Sequence, residues 1–453
     1  MIANNIIVQG RFVNSDEEFF GQIEIDKRSG IITRVGQDLG EPTYAYSDDF
    51  LIFPGFGDIH IHAREDETEK QCYKEDYHTV NEAAINGGVV HVSCMPNTPS
   101  PLTTEKQLQW HQEKCRPFPV MIFQYVGVGK HTLPLETAVP YKVFTGPSVG
   151  DLFFRNEAEV RDALQHYKGK SVSFHVEDYE VLEANKTAGT HSDRRPVACV
   201  ETALAYVLQI IEDYDLEAKL CHWSTGGRSI EMIKAHRAKG YNTALEVSPL
   251  HLYFDADMLE ETPERWPYVQ MNPALQGREH RLQLIEGLRT GFIQYLATDH
   301  APHTLDEKFK QFEPPEGSSM TREEYYRHLK TNDVRECRRR ACLDSTSGTP
   351  QLDTYGPFST WLMQAQGFTA QDIARVAAEN PGVFVNRFHN LPGKFGRVDV
   401  GYYGSLTVID PATPITITRE QLKTKCGWSP FEGVTFPGSV DATIIKGQIC
   451  RGE

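Results

Sequence analysis

Residues 53–62 read Phe53-Pro54-Gly55-Phe56-Gly57-Asp58-Ile59-His60-Ile61-His62. The stretch is apolar enough to be buried on both faces, yet it ends in two histidines. Residues two apart on a strand project to the same side, so His60 and His62 can grip one metal ion from a single strand end. An apolar strand carrying ligand-type residues at its carboxyl end is the arrangement by which parallel-barrel enzymes build their active sites.

Seven further short apolar runs follow the first, which spans Phe53–Ile61. They lie at Val89–Met95, Val120–Val126, Tyr141–Phe144, Ser171–Val176, Lys219–His222, Ala244–Val247 and Phe292–Ala297. Helix-compatible segments separate most of them, among them Glu157–Tyr167, Val200–Glu212 and Ser229–Lys239. Eight buried strands interleaved with helices predict an α/β fold, a (β/α)8 TIM-type barrel.

The two ends of the chain read differently. Asn5–Val13, Gly21–Ile25, Ser405–Ile409 and Ala442–Ile449 are strand-like, with Gly447 at a turn or bulge position. The termini are therefore expected to meet in one small β-sandwich domain. The resulting division is 1–52 and 393–453 for that domain and 53–392 for the barrel. The polar, charged segment Asp306–Arg340, with Pro314-Pro315, reads as a long loop and helix able to cover a site.

Composition narrows the function classes. Hydrophobic residues make up 40% of the 453, enough for a large core. Lys and Arg number 46 against 62 Asp and Glu, a net charge of −16 that repels a phosphate backbone and argues against nucleic-acid partners. Nine cysteines form no C-x-x-C pair, the closest being Cys337 and Cys342, and are expected as reduced thiols. Met1–Gly10 lacks a secretory signal pattern, and no run of about 18 apolar residues occurs to span a membrane. A soluble cytoplasmic protein acting on a small molecule is expected, and self-association into a homo-oligomer with it.

Further ligand-type residues fall on the strands in order. Lys142 begins Lys-Val-Phe-Thr in the fourth run, His175 ends the fifth, His222 ends the sixth and Asp299 ends the eighth. Arg64 follows the histidine pair by two positions and should point to the same side. Its planar fork suits a carboxylate.

With these residues in place the sequence resembles the amidohydrolase superfamily and, within its cyclic amidohydrolase group, the dihydroorotases. The resemblance runs through Met95-Pro96-Asn97-Thr98, Glu246-Val247-Ser248-Pro249-Leu250-His251-Leu252 and Asn272-Pro273-Ala274-Leu275. It continues in Asn380-Pro381-Gly382, Ser429-Pro430-Phe431-Glu432-Gly433 and, most specifically, Thr298-Asp299-His300-Ala301-Pro302-His303-Thr304 followed by Glu307-Lys308.

The resemblance implies reversible hydrolysis of (S)-dihydroorotate to N-carbamoyl-L-aspartate, a step of de novo pyrimidine synthesis. It implies two Zn2+ ions per subunit, the first held by His60, His62 and Asp299 and the second by His175 and His222. Lys142, carboxylated by CO2, would bridge them, with Asp151 as the substitute bridge. Asp299 would shuttle the proton. Arg64, Asn97 and His303 would hold the substrate carboxylate, and Asn272 would contact the ring. His300 is assigned to packing behind Asp299, and His251 to structure. Cys94 and Cys221 are read as small apolar groups.

The sequence departs from the family after Arg64, where Glu65-Asp66-Glu67-Thr68-Glu69 replaces the usual acidic-Pro-Gly continuation, and again at Thr145-Gly146-Pro147-Ser148. Two alternatives accompany the expectation. One is a hydantoinase- or allantoinase-like cyclic amidohydrolase, against which Arg64, Asn97 and His303 argue. The other is a non-catalytic homologue, against which the complete ligand set argues.

Overall fold

A computed structural model describes residues 5–147 and 152–451. Asp151, the substitute bridge, and Ser148 lie outside the described residues.

The middle of the chain forms a closed (β/α)8 barrel. Its strands are Phe56–Ile61, Val89–Cys94, Met121–Gln124 continued by Val126–Gly127, Tyr141–Phe144, Ser171–His175, Glu217–Leu220, Ala244–Val247 and Tyr295–Leu296. All neighbouring pairs are parallel, with Ile61 opposite Cys94, Lys142 opposite Ser173 and Val247 opposite Leu296. The ring closes where His62 N–H donates to the His300 carbonyl at 2.8 Å. Helices such as Tyr77–Asn86, Val197–Tyr214 and Arg278–Arg289 cover the outside. Strands buried on both faces in this way read as unbroken apolar runs.

Several boundaries moved. The run Phe53–Ile61 serves two sheets: Leu51–Pro54 pairs antiparallel with the strand Leu406–Asp410, and only Phe56–Ile61 enters the barrel. The sixth strand ends at Leu220, before His222 turns into a left-handed φ of 33°. The eighth is only Tyr295–Leu296, because Ile293 N–H is spent on the Gly287 carbonyl in the preceding turn.

The termini build a single eight-stranded sheet from the first five strands of the chain and three near its end. Asn5–Val13 and Glu18–Asp26 pair antiparallel, and Ser439–Ile445 turns at Lys446-Gly447 into Gln448–Arg451. Gly404 N–H, just ahead of the strand Leu406–Asp410, donates to the Gly30 carbonyl at 2.7 Å, just ahead of the strand Ile32–Gly36. Ile6, Val8, Phe12, Ile23, Ile25, Ile52, Leu406, Val408 and Ile444 form the sheet's own core. Their alternation along each strand puts the apolar side of every strand in this core.

Residues 305–341 form three helices around their own core of Phe309, Phe312, Tyr326 and Leu329. All nine cysteines are free thiols. No helix among the described residues is long and apolar enough to cross a membrane.

Candidate active site

The carboxyl ends of the barrel strands converge on one cavity of about 120 Å³, lined by every candidate site residue except Lys142, which lies fully buried among them. Three of the converging residues, Arg64, His222 and Asp299, adopt positive φ values of 60°, 33° and 50°. Such backbone costs roughly 1–3 kcal/mol per non-glycine residue and persists where surrounding structure enforces it.

On one side, His62 Nε2 lies 3.1 Å and His60 Nε2 3.3 Å from Asp299 Oδ1. One ligand atom from each of these three residues fits within a sphere of 4.8 Å, a donor set for one divalent ion. Burial, reinforced by neighbouring cations, drives both imidazoles well below the ordinary histidine range. They are therefore neutral and carry lone pairs. Burial pushes Asp299 up to about 7 against the pull of Lys142.

Across the cavity, His175 Nδ1 faces His222 Nε2 at 3.0 Å. Lys142 lies in the fourth strand, its Nζ beside the buried Cys221 thiol and 5.1 Å from the Phe144 ring centroid, with no carboxylate among the described residues within 4 Å. An amine so placed exchanges its hydration for weak contacts, which do not by themselves account for its burial. Neutral imidazoles, a carboxylate and this amine fit a metal centre.

The opposite wall is cationic. Arg64 donates through Nε to the Pro302 carbonyl and through Nη2 to His303 Nε2, both at 3.3 Å. No carboxylate among the described residues lies within 4 Å of its guanidinium. Burial lowers Arg64 to about 10 and His303 to about 3. Asn97 and Asn272 complete the wall, and Asn272 Oδ1 lies 3.1 Å from His191 Nε2.

The unusual acidic stretch after Arg64 turns away from the cavity. Asp66 accepts the Ser100 N–H at 2.8 Å, and Glu65 accepts the Tyr77 N–H at 2.9 Å. His300 sits behind Asp299, bonded to Glu75 at 3.1 Å and to the Gln351 N–H, and His251 bonds the Pro273 carbonyl. The 305–341 helices do not line the cavity. Lys308 instead donates to the carbonyls of Gln270, Thr346 and Gly348, which shapes the loop that does.

Sequence reading missed the groups that hold the site in place. Glu246 contacts His60 and Lys219, Glu177 contacts His175 and Arg195, Lys74 pairs with Glu307 behind His303, and Trp428 Nε1 donates to the His303 carbonyl at 2.7 Å. Strand alternation from His175 could have pointed to Glu177. Trp428 comes from a distant segment and left no local signal.

The amidohydrolase family model matches residues 154–450. The dihydroorotase of Pyrococcus furiosus is 26% identical over 99% of this chain and 93% of its own length. That of Thermococcus kodakarensis is 28% identical over 98% and 94%. Among solved structures, L-hydantoinase (dihydropyrimidinase) from Arthrobacter aurescens superposes with a TM-score of 0.82 at 20% identity, covering 99% of this chain and 97% of that one.

Proposed function

Because the chain belongs to the amidohydrolase family and is a metal-dependent hydrolase of the cyclic-amide type, we propose that it is a dihydroorotase, interconverting (S)-dihydroorotate and N-carbamoyl-L-aspartate. The observation that carries this reading is Arg64: a guanidinium only 4% exposed, in the cavity wall, with no carboxylate among the described residues to pair with. A buried unpaired charge is costly, and a substrate carboxylate neutralises it. Dihydroorotate carries one; a plain hydantoin or allantoin ring does not.

In this reading His60, His62 and Asp299 would hold one Zn2+ and His175 and His222 a second, with Lys142, as its carbamate, supplying an anionic ligand to both. Bound ions of this kind polarise an amide carbonyl and lower the pKa of a water to about 7.

The remaining work belongs to the chain. Arg64 takes the substrate carboxylate through its fork, with His303 and Asn97 beside it, and Asn272 contacts the ring. That fixes the scissile amide over Asp299. Asp299 accepts the proton of the attacking water and delivers it to the ring nitrogen as the C–N bond breaks; ring closure reverses the path. Phe144, Pro147 and Ala301 line the cavity beside these groups.

Turnover of dihydroorotate by the purified protein tests the proposal, with chelator added and Zn2+ then restored. Activity that disappears and returns supports it; a fully metal-loaded protein without turnover refutes it.

A further inference from the structure

Two ion pairs, one buried and one with a half-buried arginine, lie directly behind the histidines without lining the cavity. His60 Nδ1 contacts Glu246 Oε1, and Lys219 Nζ contacts the other oxygen of that carboxylate. Glu246 Oε1 also accepts the backbone N–H of His222 at 3.1 Å, tying strands one, six and seven together. On the other half, His175 Nε2 lies 2.7 Å from Glu177 Oε2, which Arg195 Nη1 approaches at 2.5 Å. Both carboxylates are buried, Glu246 at 1% and Glu177 at 0% exposure.

We infer that the pairs Lys219–Glu246 and Arg195–Glu177 are positioning devices, each fixing the tautomer of one histidine so that its free lone pair faces the cavity. Each carboxylate already accepts from groups that can only donate, Lys219 Nζ and the His222 N–H at Glu246 and Arg195 Nη1 at Glu177, so the ring nitrogen packed against it is the donor. For His60 this leaves the lone pair on Nε2, which faces Asp299; for His175 it leaves it on Nδ1, which faces His222. The two rings present opposite atoms, and each has its carboxylate on the complementary one.

His222 has no such device: among the described residues its Nδ1 finds no hydrogen-bond partner, and only its backbone N–H is held, by Glu246.

The inference rests on the two-ion reading, and its test does not use substrate. Chelator competition measures Zn2+ affinity and stoichiometry in four double variants, each replacing both members of a pair so that no buried charge is stranded. Lys219→Met/Glu246→Met and Arg195→Met/Glu177→Met should each weaken one of the two ions about 10–100-fold. Lys219→Met/Glu246→Gln and Arg195→Met/Glu177→Gln keep an amide oxygen able to accept from the ring N–H but add an NH2 able to donate to the ring, and should fall between the Met variants and wild type. A merely structural role lowers the melting temperature of the metal-free protein alike in Met and Gln variants and leaves affinity untouched; that result overturns the inference. If wild type binds a single ion, the two-ion reading fails, while the pair behind that ion's histidine is still scored by its own variants.

Discussion

The terminal sheet and the barrel mouth are equally buried and built on opposite terms. The sheet closes over Ile6, Val8, Phe12, Ile23, Ile25 and their neighbours, where stability follows from apolar area. The mouth buries Arg64, Lys142, Glu177, Lys219, Glu246, Asp299 and five histidines, where every charge must be matched or costs several kcal/mol. The first region is secured by area, the second by pairing. In the mouth, Arg64 and Lys142, which have no carboxylate within 4 Å among the described residues, are the groups assigned to substrate and to metal.

Four changes break or sharpen that contrast. The largest effect is expected from Asp299→Ala, which removes a donor and the proton shuttle together: kcat should fall about 10²–10⁴-fold or more, with the loss of zinc read by elemental analysis. Phe12→Ala, in the sheet, should cost about 3–5 kcal/mol in denaturant unfolding, while kcat/KM per folded molecule stays at its wild-type value. Arg64→Ala should lower kcat/KM for dihydroorotate about 100-fold, the loss of a charged hydrogen-bonded pair worth roughly 1.5–3 kcal/mol, with zinc content unchanged. Retained activity with lost zinc would reverse that division of roles.

The fourth change concerns pH. His91 is fully buried with neither ring nitrogen hydrogen-bonded, and burial lowers it from 6.5 to about 3. Because its folded pKa is depressed, the unfolded chain takes up the proton first. Stability is complete above about pH 6.5 and falls by about 1.4 kcal/mol per unit as pH drops towards 3. His91→Leu should flatten that acid limb in urea titrations at pH 4–7; an unchanged slope would show that other groups dominate it.

The same contrast explains what the sequence made legible. Period-two alternation announced the strands at Asn5–Val13 and near Ser405, and unbroken apolar runs announced the barrel, because burial leaves a local mark on residue type. The candidate ligands His175, His222 and Asp299 were legible because they stand at or just beyond strand ends, where they interrupt apolar sequence. Lys219, Glu246 and Arg195 were not, because a buried charge is explained only by its partner, and those partners lie 27 and 18 residues apart in sequence. The split of Phe53–Ile61 between two sheets was likewise invisible: Pro54-Gly55 marks a turn but not a change of partner strand.

The most direct test of the central claim is the ratio of kcat/KM for dihydroorotate to that for unsubstituted hydantoin, measured on one zinc-loaded preparation. The expected ratio exceeds about 100, the value of a carboxylate held by a buried guanidinium. Equal turnover of the two rings would show that the charge left open at Arg64 is not there to receive the substrate.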